Sequence, residues 1–229
     1  MTEDARLRDV GACVFDAYGT LFDVNAAAER CRDALGDKAD ALASLWRGKQ
    51  LEYTWLRSLR GDYVDFWHVT GQSLDYALDA LGLEDNTLRA RLMELYLVLD
   101  AYPEVGAVLG KLREAGLKTA ILSNGSPSML VAAVRRAQLQ ALFDEVISVD
   151  AVRIYKPHPS VYQLAVDRLR LPPERICFLS ANAWDASGAA HFGFRVVWIN
   201  RFRARPDQLP GTPEREISSL LELPDLLAP

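Results

Sequence analysis

Residues 10–20 read VGACVFDAYGT, so an apolar run at 12–15 ends directly at the carboxylate of Asp16, with a glycine three positions later. A short apolar run bounded by turn residues predicts a buried strand. Four more such runs follow, and helical patterns separate them from one another. This alternation predicts an α/β fold, with a Rossmann-like parallel sheet as its core. The four further runs are 119–122, 145–149, 176–179 and 195–199.

The segment between the first and second predicted strands has a different pattern. Roughly residues 24–115 contain amphipathic helical repeats and no convincing strand, and a helix at about 40–60 is more apolar than one solvated face requires. We therefore predict an α-helical cap subdomain at 23–99, inserted into a core made of 1–22 and 100–229. Near the C-terminus, a proline-rich loop at 203–214 precedes a predicted short helix at 217–227.

Composition narrows the function. The 229 residues are 50% hydrophobic and carry a net charge of -5 without a basic stripe, which argues against a nucleic-acid partner. No apolar run reaches the roughly 18 residues of a membrane span, and the charged N-terminus, MTEDARLRDV, is unlike a signal peptide. We therefore expect a cytoplasmic protein with no membrane partner. The three cysteines and three histidines lack ligand spacing, so neither a metal site nor a cofactor is expected.

Polar residues follow four of the five predicted strands. In an open parallel sheet, reactive groups collect beyond the carboxyl ends of the strands. Asp16 alone could be an ordinary turn residue, and Lys156 alone could be an exposed lysine. Four polar segments that follow strands and meet at one rim of the sheet, however, favour a functional site. These segments are DAYGT at 16–20, SNG at 123–125, YKP at 155–157 and SANAWD at 180–185.

Taken in order, these four motifs resemble those of the haloacid dehalogenase superfamily, and in particular its L-2-haloacid dehalogenase branch. The resemblance covers nearly the whole chain, because LWRGKQLEY at 45–53 and YVDFW at 63–67 are similar to the helical cap of that branch. It implies hydrolysis of short L-2-haloacids to D-2-hydroxyacids. The carboxylate of Asp16 would displace halide from C2 and form an ester, and water would then attack the carbonyl carbon of that ester.

The resemblance also implies roles for further residues. Thr20, Ser180 and Asn182 would hold Asp16 and the ester oxygen by hydrogen bonds. Lys156 would balance negative charge and, with Asp185, position or deprotonate the hydrolytic water; the sequence leaves the division between them open. A homodimer that takes a small-molecule 2-haloacid is expected. The implied substrate-binding residues are Ser123 for the carboxylate, Arg47 and Asn124 for the halide, Tyr162 beside the lysine, and Tyr18, Leu51, Phe66 and Trp184 as an apolar wall around C2.

Three other functions stay open at this point. A magnesium-dependent phosphatase or phosphonatase could share the fold, although the phosphatases carry a second aspartate where this chain has Tyr18. A hydrolase could act on another activated 2-substituted acid, since the same nucleophile could open a small ring. A binding module could capture a carboxylate without turnover. One departure from the branch is Ala181, where its members often have a second serine.

Overall fold

The core of the molecule is a six-stranded parallel sheet, seen in a computed structural model that describes residues 6–24, 26–83 and 85–227. The strands are β1 (Ala12–Phe15), β2 (Lys118–Ser123), β3 (Glu145–Ser148), β4 (Ile176–Ser180), β5 (Arg195–Ile199) and β6 (Arg215–Ile217). Their order is β3-β2-β1-β4-β5-β6, and every neighbouring pair is parallel. The predicted α/β class is therefore confirmed.

Burial explains why the strand sequences are apolar runs. Successive side chains of a strand point to opposite faces, yet all residues of β1 and β4 are buried. Both faces of the central strands are therefore covered, as parallel sheets require. The helices that follow β1 in chain order are α1 (Ala26–Glu29), α2 (Arg32–Leu35), α3 (Ala39–Arg60), α4 (Phe66–Ala80), α5 (Asn86–Leu97), α6 (Val105–Glu114), α7 (Pro127–Arg136), α8 (Pro159–Leu169), α9 (Ala183–Phe192) and α10 (Leu223–Leu227).

Local signals set the helix boundaries near the sheet rim. Ser126 caps α7 by accepting a hydrogen bond from the Met129 amide, and proline takes the first helical position, where no amide donor is needed. Asp65 caps α4 in the same way through the amide of His68. Gly61 ends α3 in the left-handed conformation, which glycine adopts without strain. Ser126 thus starts α7 soon after β2 ends, while Gly61 and Asp65 bound the turn between α3 and α4.

The segment between β1 and β2 is helical, as predicted, and it contains α1 to α6. The longest of these, α3, packs mainly against α4. Its buried stripe recurs every four residues at Leu42, Trp46, Gln50 and Thr54, which is the spacing of one helical face. Two polar residues therefore lie on the buried side of this helix. In the described ranges, every helix is too short or too polar to cross a lipid bilayer.

The C-terminal prediction was wrong in part. Residues 215–217 form an edge strand, β6, beside β5, and α10 begins only at Leu223. The sequence Arg-Glu-Ile has no apolar run to mark it as a strand, because a short charged edge strand has few side chains to bury. Residues 1–5 of the charged N-terminus lie outside the described residues.

Gly125, just after β2, allows the Tyr18 ring to pack against the backbone. A Cβ at this position would lie 2.6 Å from Cε2 of Tyr18 and 3.2 Å from a methyl group of Leu130. We expect Gly125→Ala to lower the free energy of unfolding by about 1–3 kcal/mol, because it overpacks a filled site. Urea denaturation measures this change.

Gly110 in α6 provides the matched control, because a Cβ there would meet no atom within 4 Å. Gly110→Ala should raise the free energy of unfolding by roughly 0.5–1 kcal/mol, since alanine restricts the unfolded chain and favours the helix. Equal effects of the two substitutions would contradict the packing of Tyr18 on Gly125.

Candidate active site

The predicted site residues of the core meet at one rim of the sheet. β1 lies between β2 and β4, so the residue after β1 is flanked by the exits of both neighbours. That residue is Asp16, whose amide continues the sheet by donating to the Leu179 carbonyl at 2.9 Å. Its carboxylate is held at the carboxyl ends of the strands, where ligands bind in open α/β sheets.

Three donors fix the Asp16 carboxylate, which is only 6% exposed. The hydroxyl of Thr20 and the Nδ2 amide of Asn182 donate to Oδ2 at 3.0 and 2.9 Å. The ammonium of Lys156 donates to Oδ1 at 3.1 Å. Thr20 is itself held, because its Oγ1 accepts a hydrogen bond from the Ala181 amide at 2.8 Å. The carboxylate is therefore oriented before any ligand arrives.

Lys156 lies between two buried carboxylates. Its Nζ is 3.1 Å from Asp16 and 2.9 Å from Asp185, and the side chains of Lys156 and Asp185 are almost completely buried. Burial by itself disfavours the ammonium, but the two negative charges and the hydrogen bonds to them outweigh burial, so the pKa of Lys156 is raised. The Phe178 ring lies 5.0 Å from Nζ. The lysine is thus a fixed positive charge at neutral pH.

Asp185 is buried more deeply than Asp16. Burial raises its pKa, and the ammonium of Lys156 offsets that effect only in part. The Tyr162 hydroxyl donates to Oδ1 of Asp185 at 2.8 Å, so Tyr162 contacts the carboxylate beside the lysine. Burial also raises the pKa of Tyr162 well above its ordinary value, which keeps the phenol protonated as a donor. Asp185 therefore has one partner for each of its oxygens.

This rim does not have the donor set of a divalent metal site. Its two carboxylates, Asp16 and Asp185, both face the Lys156 ammonium, which fills the place between them. In the part of the chain that the structure describes, no three His, Cys, Asp or Glu side chains are grouped to bind a metal ion. Magnesium prefers several oxygen ligands in octahedral geometry. The residues present therefore do not fit a magnesium ion.

Arg47 on α3 reaches the core from the helical segment. Its Nη2 donates to the Asn182 side-chain oxygen at 3.2 Å, and its Nη1 donates to Gln50 at 3.0 Å. The same Asn182 amide donates to Asp16, so one side chain separates the guanidinium from the carboxylate. Asn124, the other predicted halide residue, instead accepts a hydrogen bond from the Lys156 amide at 3.0 Å. Asn124 thus anchors the lysine loop.

The other predicted polar residues support the loops. The buried Ser123 hydroxyl accepts a hydrogen bond from the Gly125 amide at 3.0 Å, which shapes the turn after β2. The Ser180 hydroxyl accepts from the Asn182 amide at 3.1 Å. Ser180 therefore holds Asn182, while Thr20 and Asn182 bond the Asp16 carboxylate directly.

The predicted apolar wall consists of two aromatic groups. Tyr18 packs between Phe66 and Tyr96, with ring centroids 6.0 and 5.6 Å apart. Trp184 packs edge-on against Trp55 of α3 at 5.4 Å. Trp184, Trp55 and Leu59 line an open cleft of about 470 Å³ that also reaches Lys156. Leu51 lies one turn after Arg47 on α3 and is half-buried.

Sequence reasoning missed three residues near the site. Gln50 accepts hydrogen bonds from Arg47 and from the Tyr96 hydroxyl. The Tyr96 ring in turn stacks on Tyr18. The signal for Gln50 was present, because it is a polar residue at a position of the apolar stripe of α3. Arg201 pairs with Glu104 at 2.5 Å and donates to the Thr20 carbonyl at 3.2 Å. No motif marked Arg201, which lies two residues after β5 and whose partners Glu104 and Thr20 are far from it in the sequence.

A parallel α/β sheet with a fixed carboxylate after its central strand and a lysine between two carboxylates defines a class of hydrolase. The family model for haloacid dehalogenase-like hydrolases matches residues 10–193, from just before β1 to just after α9. The chain therefore belongs to the haloacid dehalogenase-like hydrolase family.

Within that family, the chain is similar to L-2-haloacid dehalogenases, which confirms the branch predicted from the motifs. (S)-2-Haloacid dehalogenase 1 of Pseudomonas sp. (strain CBS-3) is 50% identical over 95% of this chain and 96% of its own. (S)-2-Haloacid dehalogenase 4A of Burkholderia cepacia is 48% identical over 95% and 94%. The structure of L-2-haloacid dehalogenase from Xanthobacter autotrophicus with chloropropionic acid covalently bound matches with a TM-score of 0.89 and 40% identity, over 95% and 98%.

The Tyr162 hydroxyl is expected to stabilise the fold through Asp185. Tyr162→Phe removes a hydrogen bond to a fully buried carboxylate, so we expect the free energy of unfolding at pH 7 to fall by about 1.5–3 kcal/mol. Tyr76→Phe is the matched control, because Tyr76 is 44% exposed and should change stability by less than about 0.5 kcal/mol. Urea denaturation of both variants measures the difference. Equal stabilities would show that Asp185 does not depend on Tyr162.

Proposed function

We propose that this protein hydrolyses short L-2-haloacids to D-2-hydroxyacids and halide, with Asp16 as the nucleophile. The main support is the buried Asp16 carboxylate, which three donors hold at the tip of the central strand. A carboxylate is ionised at neutral pH and can replace one difficult displacement by two easier steps. The similarity to named (S)-2-haloacid dehalogenases over 95% of the chain supports the same reaction.

In the first step, an oxygen of Asp16 attacks C2 of the substrate opposite the halogen. The carbon–oxygen bond forms as the carbon–halogen bond breaks, and halide leaves with the bonding electrons. Configuration at C2 inverts once, so an L-haloacid becomes an ester of the D-series. The chloropropionic acid bound covalently in the Xanthobacter autotrophicus structure supports an ester intermediate on Asp16.

In the second step, water adds to the carbonyl carbon of the Asp16 ester. The adduct collapses, the hydroxyacid leaves with a proton, and Asp16 regains its carboxylate with one oxygen taken from water. Thr20 and Asn182, which now bond Oδ2, would stabilise charge on the carbonyl oxygen of the ester. The Lys156 ammonium would position the water, and the Asp185 carboxylate, 2.9 Å from that ammonium, would accept the water's proton. Ser180 would keep Asn182 in place.

The substrate-binding residues act around C2. Ser123 and the backbone after Tyr18 would take the substrate carboxylate, while Arg47 and Asn124 would receive the departing halide. The wall formed by Tyr18, Phe66, Leu51 and Trp184 would exclude water from the nucleophile and limit the side chain on C2. Tyr162 would act at one remove, by orienting Asp185.

We assign residues 23–99 to a cap that closes this site, on a core formed by 1–22 and 100–229. Contacts to the rim from α3 and from the loop between α3 and α4 support this division. Arg47 bonds Asn182, the Tyr155 amide donates to the Ser58 hydroxyl at 3.2 Å, and the Tyr155 hydroxyl donates to the Val64 carbonyl at 2.6 Å. Helical caps that close over a site exclude solvent and commit the substrate.

The decisive test is halide release from the separate enantiomers of 2-chloropropionate in the presence of EDTA. We expect release from the L enantiomer alone, with D-lactate as the product. Asp16→Asn should lower kcat by a factor on the order of 10⁴ or more, because the nucleophile is lost while the fold is kept. A single turnover in ¹⁸O-labelled water should place the label in Asp16 before it reaches the product.

Asp37→Asn is the matched control for this test, because Asp37 lies on an exposed turn of the cap and should leave kcat unchanged. Magnesium-dependent release of phosphate without any release of halide would overturn the proposed reaction in favour of a phosphatase.

We also propose that the protein is a homodimer that associates through α3. Leu59 is 85% exposed on this helix and Leu56 is 46% exposed, so two large apolar side chains face solvent in the single chain. Sedimentation analysis at micromolar concentration should give twice the mass of 25.5 kDa, and Leu59→Glu should give the single mass. Leu221→Glu, at another exposed leucine, should remain dimeric. A monomeric wild type would refute the dimer.

A further inference from the structure

Gln50 is a buried amide beside the guanidinium of Arg47. It is 1% exposed and lies on the stripe of α3 that also carries Leu42 and Trp46. Burying an amide costs free energy unless its hydrogen bonds are made, and an apolar residue of the same size could fill the space. Its hydrogen-bond partners within the described part of the chain are all side chains, and one of them is Arg47.

Both polar atoms of the Gln50 amide have hydrogen-bond partners. Its Oε1 accepts hydrogen bonds from Arg47 at 3.0 Å and from the Tyr96 hydroxyl at 3.2 Å. Its Nε2 donates to the Thr70 hydroxyl at 2.8 Å, and that hydroxyl donates to the Phe66 carbonyl of α4 at 2.7 Å. Gln50 therefore ties one guanidinium nitrogen of Arg47 to the two packed helices α3 and α4.

The Arg47 guanidinium is held without being neutralised. Its hydrogen bonds go to the amide oxygens of Gln50 and Asn182, which carry no net charge. In the ranges that the structure describes, no aspartate or glutamate forms an ion pair with Arg47, unlike Lys49 two positions further along α3, which pairs with Glu52. A guanidinium fixed by neutral oxygens keeps its full charge for an anion.

Gln50 also connects this charge to the apolar wall. Tyr96 donates to the same oxygen of Gln50 and stacks on Tyr18 with ring centroids 5.6 Å apart and an interplanar angle of 20°. Tyr18 follows Asp16 by two positions and packs against Phe66. One amide oxygen thus sets the spacing between the guanidinium and the wall beside the nucleophile.

From this arrangement, and on the basis of the function proposed above, we infer that Gln50 is a positioning residue for halide departure. It holds Arg47 at the end of the carbon–halogen bond and, by doing so without a charge of its own, leaves the guanidinium free to accept the anion. Chloride gains more than bromide from a well-placed donor, because its charge is concentrated in a smaller ion and its carbon–halogen bond is harder to break.

The test compares kcat/KM for L-2-chloropropionate and L-2-bromopropionate, since this constant covers the steps up to halide departure. We expect Gln50→Met, which keeps the length and loses the amide, to raise the bromide-to-chloride ratio of kcat/KM about threefold to tenfold. A purely structural defect would lower both constants by the same factor and leave the ratio unchanged.

Thr54→Val is the matched control. Thr54 is buried on the same stripe of α3, one turn further on, and its hydroxyl donates to the Leu51 carbonyl. This variant should leave the ratio at the wild-type value. If Gln50→Met does not fold, Thr70→Val removes the hydroxyl that receives the Gln50 amide, and it should shift the ratio in the same direction by a smaller factor.

The outcomes separate the two proposals. Halide release by the wild type, with an unchanged ratio in Gln50→Met or in Thr70→Val, would overturn the role of Gln50 alone. A raised ratio in those variants and not in Thr54→Val would support it. A wild type that releases halide from neither substrate would overturn the proposed function, and the role of Gln50 with it.

Discussion

The rest of the site depends on the Lys156 ammonium and the two buried carboxylates beside it. Charges taken out of water are costly unless they are paired and hydrogen-bonded, and here one cation serves two anions. The surrounding residues meet this requirement. Asn124 fixes the lysine loop, Tyr162 satisfies Asp185, and Thr20 bonds Asp16. Most of the polar residues at the rim therefore stabilise the buried charges of Asp16, Lys156 and Asp185.

Arg47 places a second positive charge near Asp16, with the side chain of Asn182 between them. Lys156 belongs to the core and bonds two carboxylates, whereas Arg47 belongs to α3 and, among the residues that the structure describes, is held by neutral oxygens alone. Lys156 and Arg47 therefore differ in their ability to bind an anion from outside the protein. The lysine stabilises groups of the protein itself, and the guanidinium retains charge for an incoming or departing anion. Asn182 contacts both Asp16 and Arg47, so it transmits the position of one to the other.

Much of this arrangement was predictable, for physical reasons that also explain the failures. The chemistry lies in the loops that follow the strands, so Asp16, Lys156 and Asp185 could be found by reading the one to seven residues after an apolar run. Gln50 could not be found in that way, because it lies on a helix and its partners Thr70 and Tyr96 belong to other helices. Arg201 does follow a strand, but its partner Glu104 is 97 positions away in the sequence, so nothing near Arg201 marked it. β6 was missed since a charged edge strand lacks the apolar pattern on which strand prediction rests.

The central place of β1 also governs how the chain can acquire its structure. β1 is synthesised first, yet it pairs with β2, which begins at Lys118, and with β4, which begins at Ile176. Contacts between residues so far apart in sequence close large loops and slow folding. During synthesis, the four apolar residues of β1 and the adjoining Asp16 stay unpaired until the ribosome has made β2 and β4. The nascent N-terminal half thus exposes an unpaired strand, the kind of segment on which chaperones act.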